Sequence, residues 1–152
     1  MMSFKQEWLG KSRLTMIIGC GRLGSTLADI LSTEGENVII MDKDESSFRK
    51  LSPFFAGMNL VGDATSVDDL QQAELGRADY LVVCTNNDNT NIMIAQMAKE
   101  YFDVPHIICR LFDPQRECVY KEFGIRTICP TTLSSLAIKA MMNNDSEEGK
   151  EL

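Results

Sequence analysis

The sequence predicts an α/β fold in which a doubly wound sheet of six parallel strands lies between two helical layers, all within a single domain. Three observations carry this. Short apolar runs alternate with helical patterns six times along the chain, as repeated β-α units do. The apolar runs lack the polar alternation of half-exposed strands, which marks a sheet covered on both faces. Gly19-Cys20-Gly21-Arg22-Leu23-Gly24, a G-x-G-x-x-G segment, follows the first run directly and opens the first helix, the arrangement of a Rossmann-type unit. The chain has 152 residues, room for one such domain and too few for a typical two-domain dehydrogenase.

In chain order, Leu14 to Ile18 is an apolar run bounded by glycine and reads as the first strand. Leu23, Leu27, Ile30 and Leu31 follow at helical spacing, with Gly35 placed as a C-terminal cap. Val38 to Met41 is a second buried strand ending in Asp42, and Ser46 to Leu51 a brief helix stopped by Pro53. Leu60-Val61 is a short third strand, followed by Gly62-Asp63-Ala64-Thr65, with Thr65 and Asp68 spaced as a capping box for a helix to Ala73. Tyr80 to Cys84 is the fourth strand, and Asp88 to about Phe102 a long helix with Ile92, Ala95 and Tyr101 on its inner side. His106 to Cys109 is the fifth strand. Asp113 and Pro114 start a helix carrying Val119 and Phe123 and closed by Gly124. Ile125 to Cys129 is the sixth strand, and Leu133, Leu136, Ala137, Ala140 and Met141 repeat at helical spacing in a last helix. Residues 1–13 read as an N-terminal extension, 14–142 as the domain, and 143–152 as a charged tail with almost nothing to bury, expected to be disordered.

Composition narrows the function. The net charge is −7, from 15 Lys+Arg against 22 Asp+Glu, and the only basic clustering is Lys5, Lys11 and Arg13, diluted by Glu7; this excludes the basic stripe of a nucleic-acid binder. No apolar run approaches the ~20 residues of a membrane-spanning helix, and the N-terminus lacks the apolar core of a signal peptide, so the expectation is a cytoplasmic protein. The cysteines, 5 in number, include no C-x-x-C pair and accompany a single histidine, His106. A Cys/His zinc site is therefore not expected, and Cys84 and Cys109 read as buried thiols packed in strands.

In the glycine loop, the first glycine permits the tight turn, the second lets the backbone approach a diphosphate, and the third lets helix and strand pack closely. Phosphate oxygens then meet free N–H groups at the positive end of the helix. Asp42 ends the second strand, 23 positions after Gly19, placed to accept hydrogen bonds from adenosine ribose hydroxyls. A carboxylate there repels a 2′-phosphate, which disfavours NADP(H). Lys43 beside it is included among the cofactor-binding candidates.

Further features are Arg22 inside the glycine loop, Asp63-Ala64-Thr65 after the third strand, and Thr85-Asn86-Asn87-Asp88 with Asn91 after the fourth. Arg110 and Pro130 end the fifth and sixth strands. With these motifs the chain resembles, over about Leu14 to Met142, the nucleotide-binding N-terminal domain of the RCK (KTN, TrkA-N) family, whose members include regulatory subunits of bacterial Trk and Ktr potassium uptake systems. The resemblance implies a cytoplasmic homodimer or larger ring that binds NAD(H), ATP or ADP and gates a membrane potassium channel or transporter. It sets Arg22 toward phosphate, of its own or a neighbouring subunit's nucleotide, against a solvated surface arginine. It sets Asp63, Ala64 and Thr65 at the adenine side, against a plain turn and helix cap. Thr85 and Asn86 fall at the carboxyl end of the fourth strand, while Asn87 and Asp88 equally suit a helix cap. Arg110 is similar to a family residue facing the phosphates, against an ion pair at a strand end. The last helix, Thr132 to Met142, is similar to one that crosses to a neighbouring subunit in the family, against a plain core helix of the same spacing.

The chain departs from the family pattern in two places. Many members carry Pro-Glu after the sixth strand, where the glutamate helps hold nucleotide and cation; here Pro130 is followed by Thr131, which counts against cation-assisted ATP binding. No C-terminal ligand domain follows Met142, so regulation resting on one is expected from another chain. Two other functions compete with a transport regulator: a free-standing nucleotide or redox sensor for another soluble partner, and a small NAD-dependent oxidoreductase. Against the last, His106 and Tyr80 start their strands, the wrong end for a ligand crevice, leaving no evident proton donor.

Overall fold

The computed structural model describes residues 13–149; the N-terminal extension up to residue 12 and the last three residues lie outside the described residues. Six strands form one all-parallel sheet: β1 (Leu14–Ile18), β2 (Asn37–Asp42), β3 (Met58–Val61), β4 (Tyr80–Val83), β5 (His106–Arg110) and β6 (Arg126–Ile128). Their order across the sheet is β3-β2-β1-β4-β5-β6. The chain winds outward from β1 in one direction, then returns to β4 on its other side. The reversal leaves a crevice at the carboxyl ends of β1 and β4.

Alternation along the buried strands feeds two cores. Met16 and Ile18 of β1 and Leu81 and Val83 of β4 join Leu70, Ile94, Ala95, Ala98, Leu111 and Tyr120 on one face. Ile17, Ile40, Val82 and Cys84 meet Ala28, Leu23, Leu27, Leu31 and Phe48 on the other. The first face is covered by α2 (Val67–Gln72), α3 (Asp88–Phe102) and α4 (Glu117–Glu122); the second by α1 (Arg22–Thr33) and a 3-10 segment at Glu45–Lys50. α1 ends as its sequence implies: Gly35 takes φ 81° and donates to the Ser32 carbonyl.

Several local expectations are corrected. α2 is capped by Ser66, whose hydroxyl accepts the Asp69 N–H, not by Thr65; the Thr65 hydroxyl is already donated to Asp63. On α3 the buried positions are Asn91, Ile94, Ala95 and Ala98, while Tyr101 is 68% exposed: the inward stripe runs on from Ala98 to Phe102, which packs against the core, and Tyr101 falls beside that stripe. On α1, Ile30 also faces outward, half exposed. Asp113 and Pro114 start a 3-10 turn, with α4 following at Glu117, and Tyr120 rather than Val119 or Phe123 is its buried residue.

The last helix, α5, spans Pro130–Glu148 and continues past Met142 into the segment expected to be disordered. No proline or glycine interrupts residues 143–148, and the Ser146 hydroxyl donates to the Met142 carbonyl within the helix. None of its residues is buried, and Leu133, Leu136, Ile138, Met141 and Met142 are all more than half exposed.

Candidate functional site

A cleft of about 410 Å³ opens at the carboxyl ends of the strands, over the β1/β4 reversal. Its lining includes Gly19, Cys20 and Gly21 from the glycine loop, and Asp42, Lys43, Asp44, Ser47 and Lys50 after β2. Gly62, Asp63, Ala64 and Thr65 enter after β3, and Cys84, Thr85, Asn86, Asn87 and Thr90 after β4. The parallel topology gathers these four segments because every β-to-α connection leaves the sheet at the same end.

The three glycines answer different demands. Gly19 sits at φ +101°, and an added Cβ would lie 2.8 Å from the Cys84 carbonyl oxygen. At Gly24 an added Cβ would lie 1.9 Å from the Gly19 carbonyl oxygen. Packing therefore requires both. Gly21 has ordinary backbone angles, φ −85° and ψ −161°, caps α1, and would meet nothing within 4 Å if given a Cβ. Among the described residues nothing fills the space where that Cβ would stand, and the space adjoins the first turn of α1, where helix N–H groups lack intrahelical partners.

Asp42 binds the loop to β2. One carboxylate oxygen accepts the Cys20 N–H at 2.8 Å, the other the Asp44 N–H at 2.9 Å. A carboxylate has about four lone-pair sites, so acceptor capacity remains toward the cleft. Asp63 accepts both the N–H and the hydroxyl of Thr65 with one oxygen, which holds its carboxyl below the ordinary range. The Ser46 hydroxyl and N–H lower Asp44 in the same way. Lys43 and Lys50 enter no ion pair among those found in the described residues. Burial raises the Cys20 thiol and raises Cys84 to about 11, so both are protonated near neutrality; Cys20 donates to the Ser47 carbonyl at 3.4 Å.

The β4 side is built around Asn91, which is fully buried. Its amide oxygen accepts the N–H and the hydroxyl of Thr85. Its amide nitrogen donates to the carbonyls of Arg110, at 3.0 Å, and Thr85, at 3.3 Å. Asn87 caps α3, accepting the Thr90 N–H, whereas Asp88 turns to the next loop and accepts the N–H groups of Phe112 and Asp113.

Of the residues selected from sequence, Gly19, Cys20, Gly21, Asp42, Lys43, Asp63, Ala64, Thr65, Thr85 and Asn86 line the cleft; Arg22, Leu23, Gly24 and Arg110 do not. Arg22 is exposed in the first turn of α1. Leu23 and Gly24 face the core. Arg110 is not among the cleft's lining residues and forms no ion pair among the described residues. Its guanidinium donates to the carbonyls of Cys84 and Thr85 at 2.8 and 2.9 Å and lies 4.7 Å from the Phe112 ring centre. Its Nε is buried without a hydrogen-bond partner among the described residues. Sequence reasoning missed Asp44, Ser47, Lys50 and Thr90 as lining residues; the loop position after β2 was the available signal for the first three. At the opposite end of the sheet, exposed His106 stacks on Tyr80 at 4.5 Å.

Fold and cleft together define a class: a doubly wound, glycine-loop α/β domain of the Rossmann type, with its crevice at the strand reversal. Within that class, the TrkA-N domain model matches residues 15–130, and the chain belongs to the TrkA-N family. The Trk system potassium uptake protein TrkA of Streptomyces coelicolor is 38% identical over 113 residues, which are 74% of this chain and 51% of that protein. The glutathione-regulated potassium-efflux system protein KefC of an Enterobacter strain is 33% identical over 113 residues, 74% of this chain and 18% of that protein. The chain thus spans about half the length of the TrkA relative or less of the others. Among solved structures, the GsuK channel bound to NAD superposes with a TM-score of 0.76 at 24% identity, covering 90% of this chain and 24% of that one; GsuK is also known bound to ADP. No helix of the described residues is long and apolar enough to cross a membrane.

Proposed function

We propose that this chain is a nucleotide-sensing regulatory element of a potassium transport system. Its cleft takes an adenosine nucleotide, NAD(H) or ATP/ADP, and its occupancy gates a membrane channel or transporter from the cytoplasmic side. The observation that carries the reading is the unclaimed space at Gly21, beside the N-terminus of α1 and flanked by Asp42. It suits a diphosphate on helix N–H groups with a ribose on the carboxylate. The names of the TrkA and KefC relatives supply the potassium context. In this reading Asp42 with Lys43 holds the ribose end, Asp63, Ala64 and Thr65 the adenine side, and Thr85 and Asn86 the far side of the diphosphate. The chain performs no catalysis of its own, and residues 14–142 are the nucleotide-binding unit. It works as a homodimer or larger ring, because the apolar residues of α5 have no cover among the described residues.

Calorimetric titration of the chain with NADH, NAD, ATP, ADP and NADPH tests this. At least one of the first four binds; binding by none removes the premise. Asp42→Ala lowers the affinity about tenfold, the loss of a charge-assisted hydrogen bond. Unchanged affinity removes the ribose assignment. Co-purification with a polytopic membrane protein distinguishes the transport regulator from a sensor of soluble partners, and NADH turnover with carbonyl substrates would restore the oxidoreductase.

A further inference from the structure

A second concavity lies away from the cleft, toward the amino end of β4. We propose that it is the seat of the chain's own N-terminal segment: Trp8 places its indole in a groove between α2 and the last turn of α3, and so holds residues 1–12 on the domain. The inference is independent of what the cleft binds.

The groove measures about 410 Å³. Val67 of α2, Tyr101 and Phe102 of α3, and Gly76 of the 3-10 turn at Leu75–Arg77 give it an apolar lining. Val67 and Tyr101 are exposed, and Phe102 is only partly buried where it packs against the core. Single exposed apolar residues are ordinary on a protein surface; here three of them converge on one groove. Gly76 keeps it open. Its φ is not positive, and an added Cβ would come no closer than 3.8 Å to the Phe102 carbonyl oxygen. The turn therefore does not need glycine for its own backbone or packing, yet a larger side chain there would enter the groove.

The point where the chain enters β1 selects the occupant. The Leu14 N–H donates to the Asp79 carboxylate at 2.9 Å, and the Leu14 carbonyl accepts the Asp79 N–H at 2.9 Å. Leu14 packs against the same core that α2 and α3 cover. Gly76 stands three positions before Asp79, at most about 11 Å along the chain, whereas Trp8, six positions before Leu14, has a reach of about 20 Å. Trp8 is the chain's single tryptophan, with Phe4 and Leu9 near it. An indole offers a large apolar face and one N–H that seeks an acceptor when buried; Gln71 and Glu74, which also line the groove, carry side-chain oxygens. Lys5 and Lys11 against Glu7 give the segment a sign opposite to the chain's −7. The competing seat is the Tyr80–His106 pair on the other face of the sheet. There the Tyr80 ring is already stacked on His106 at 4.5 Å and covered by the Arg13 guanidinium at 5.2 Å.

Tryptophan fluorescence of the full chain tests the inference, because Trp8 alone contributes to it. Emission is expected to be blue-shifted from that of the urea-unfolded chain and shielded from acrylamide, equally at low and at tens of micromolar protein. Tyr101→Ala and Gly76→Leu each move the emission toward the unfolded value and restore quenching, with far-UV ellipticity unchanged; His106→Ala does neither. Trp8→Ala lowers Tm by about 3–8 °C, the loss of one large apolar side chain from its seat, and by much less when Tyr101 is already alanine. Native emission equal to that of the unfolded chain overturns the inference. So does a blue shift that His106→Ala removes and Tyr101→Ala leaves in place, which would put the indole on the other face. A blue shift that grows with protein concentration also overturns it, since a second copy would then supply the cover. Tyr101 is exposed, so its variant decides the matter even if Gly76→Leu fails to fold.

Discussion

Replacing Gly19 and Gly21 separately by alanine distinguishes a glycine that the fold needs from one kept for a ligand. At position 19 the new Cβ would be held at φ +101° and 2.8 Å from the Cys84 carbonyl oxygen, 2.9 Å from its carbon. A non-glycine residue in such a region costs about 1–3 kcal/mol, and overpacking against backbone a similar amount. Gly19→Ala is therefore expected to lose about 4 kcal/mol, a fall in Tm of about 8–16 °C for a chain of this size. At position 21 the angles are ordinary and an added Cβ meets nothing within 4 Å. Only the mild preference for glycine over alanine at an N-cap is lost, about 0.5–1 kcal/mol. Affinity should show the reverse contrast: Gly21→Ala, folded and nearly as stable as the parent, binds ADP at least about tenfold more weakly, because one methyl displaces a phosphate from its helix N–H donors. Thermal and urea unfolding give the first quantity and calorimetry the second. If Gly21→Ala unfolds as readily as Gly19→Ala, the fold itself requires glycine there, and the space beside it says nothing about a ligand.

Two further outcomes follow from the structure. Desolvation raises Cys84 to about 11 and Cys109 to about 12 from an ordinary 9.0. The unfolded chain thus releases these protons first. Their contribution is fully present below pH 9 and lost as pH rises through 11 for Cys84 and 12 for Cys109, costing about 1.4 kcal/mol per thiol at pH 10. Urea midpoints in reductant should fall between pH 8 and pH 10; a flat profile would mean the thiols are not buried. On α5, Leu136→Asp with Met141→Asp should leave the unfolding temperature of dilute protein within about 2 °C, as for exposed sites, while dissociating the assembly in sedimentation velocity. A parent chain that is monomeric at tens of micromolar removes the interface.

The β-α alternation and the cleft's principal segments were legible because they rest on patterns local to the chain. Apolar runs without alternation gave each strand to within a few residues, and the glycine loop with Asp42 has a spacing that the strand-turn-helix unit itself imposes. What escaped depends on contacts between distant segments. Arg110 ends β5 as expected, yet its guanidinium is drawn to carbonyls just after β4 that lie 25 and 26 positions away in sequence. Asn91 looked like one more polar residue on a helix, because its bonds join the ends of two strands. Tyr101 keeps helical spacing with Ala98, but the inward stripe runs through Phe102, which packs against the core and leaves Tyr101 at its edge. Thr65 and Ser66 both suit a cap by composition, and the prior bond from Thr65 to Asp63 decides between them.

α5 has an energetic consequence apart from any interface drawn on it. A solitary helix of fewer than about 12–15 residues is marginal in water, and a somewhat longer one depends on alanine-rich composition or on packing. α5 has 19 residues, buries none of them, and carries two asparagines, three serines and two threonines. Intrinsic propensity contributes little to such a segment, so much of the free energy that keeps it helical has to come from whatever covers it. If a second copy of the chain supplies that cover, as proposed above, helix content follows protein concentration: far-UV ellipticity per residue deepens as the sample is concentrated, and dilution melts this segment while the sheet stays intact.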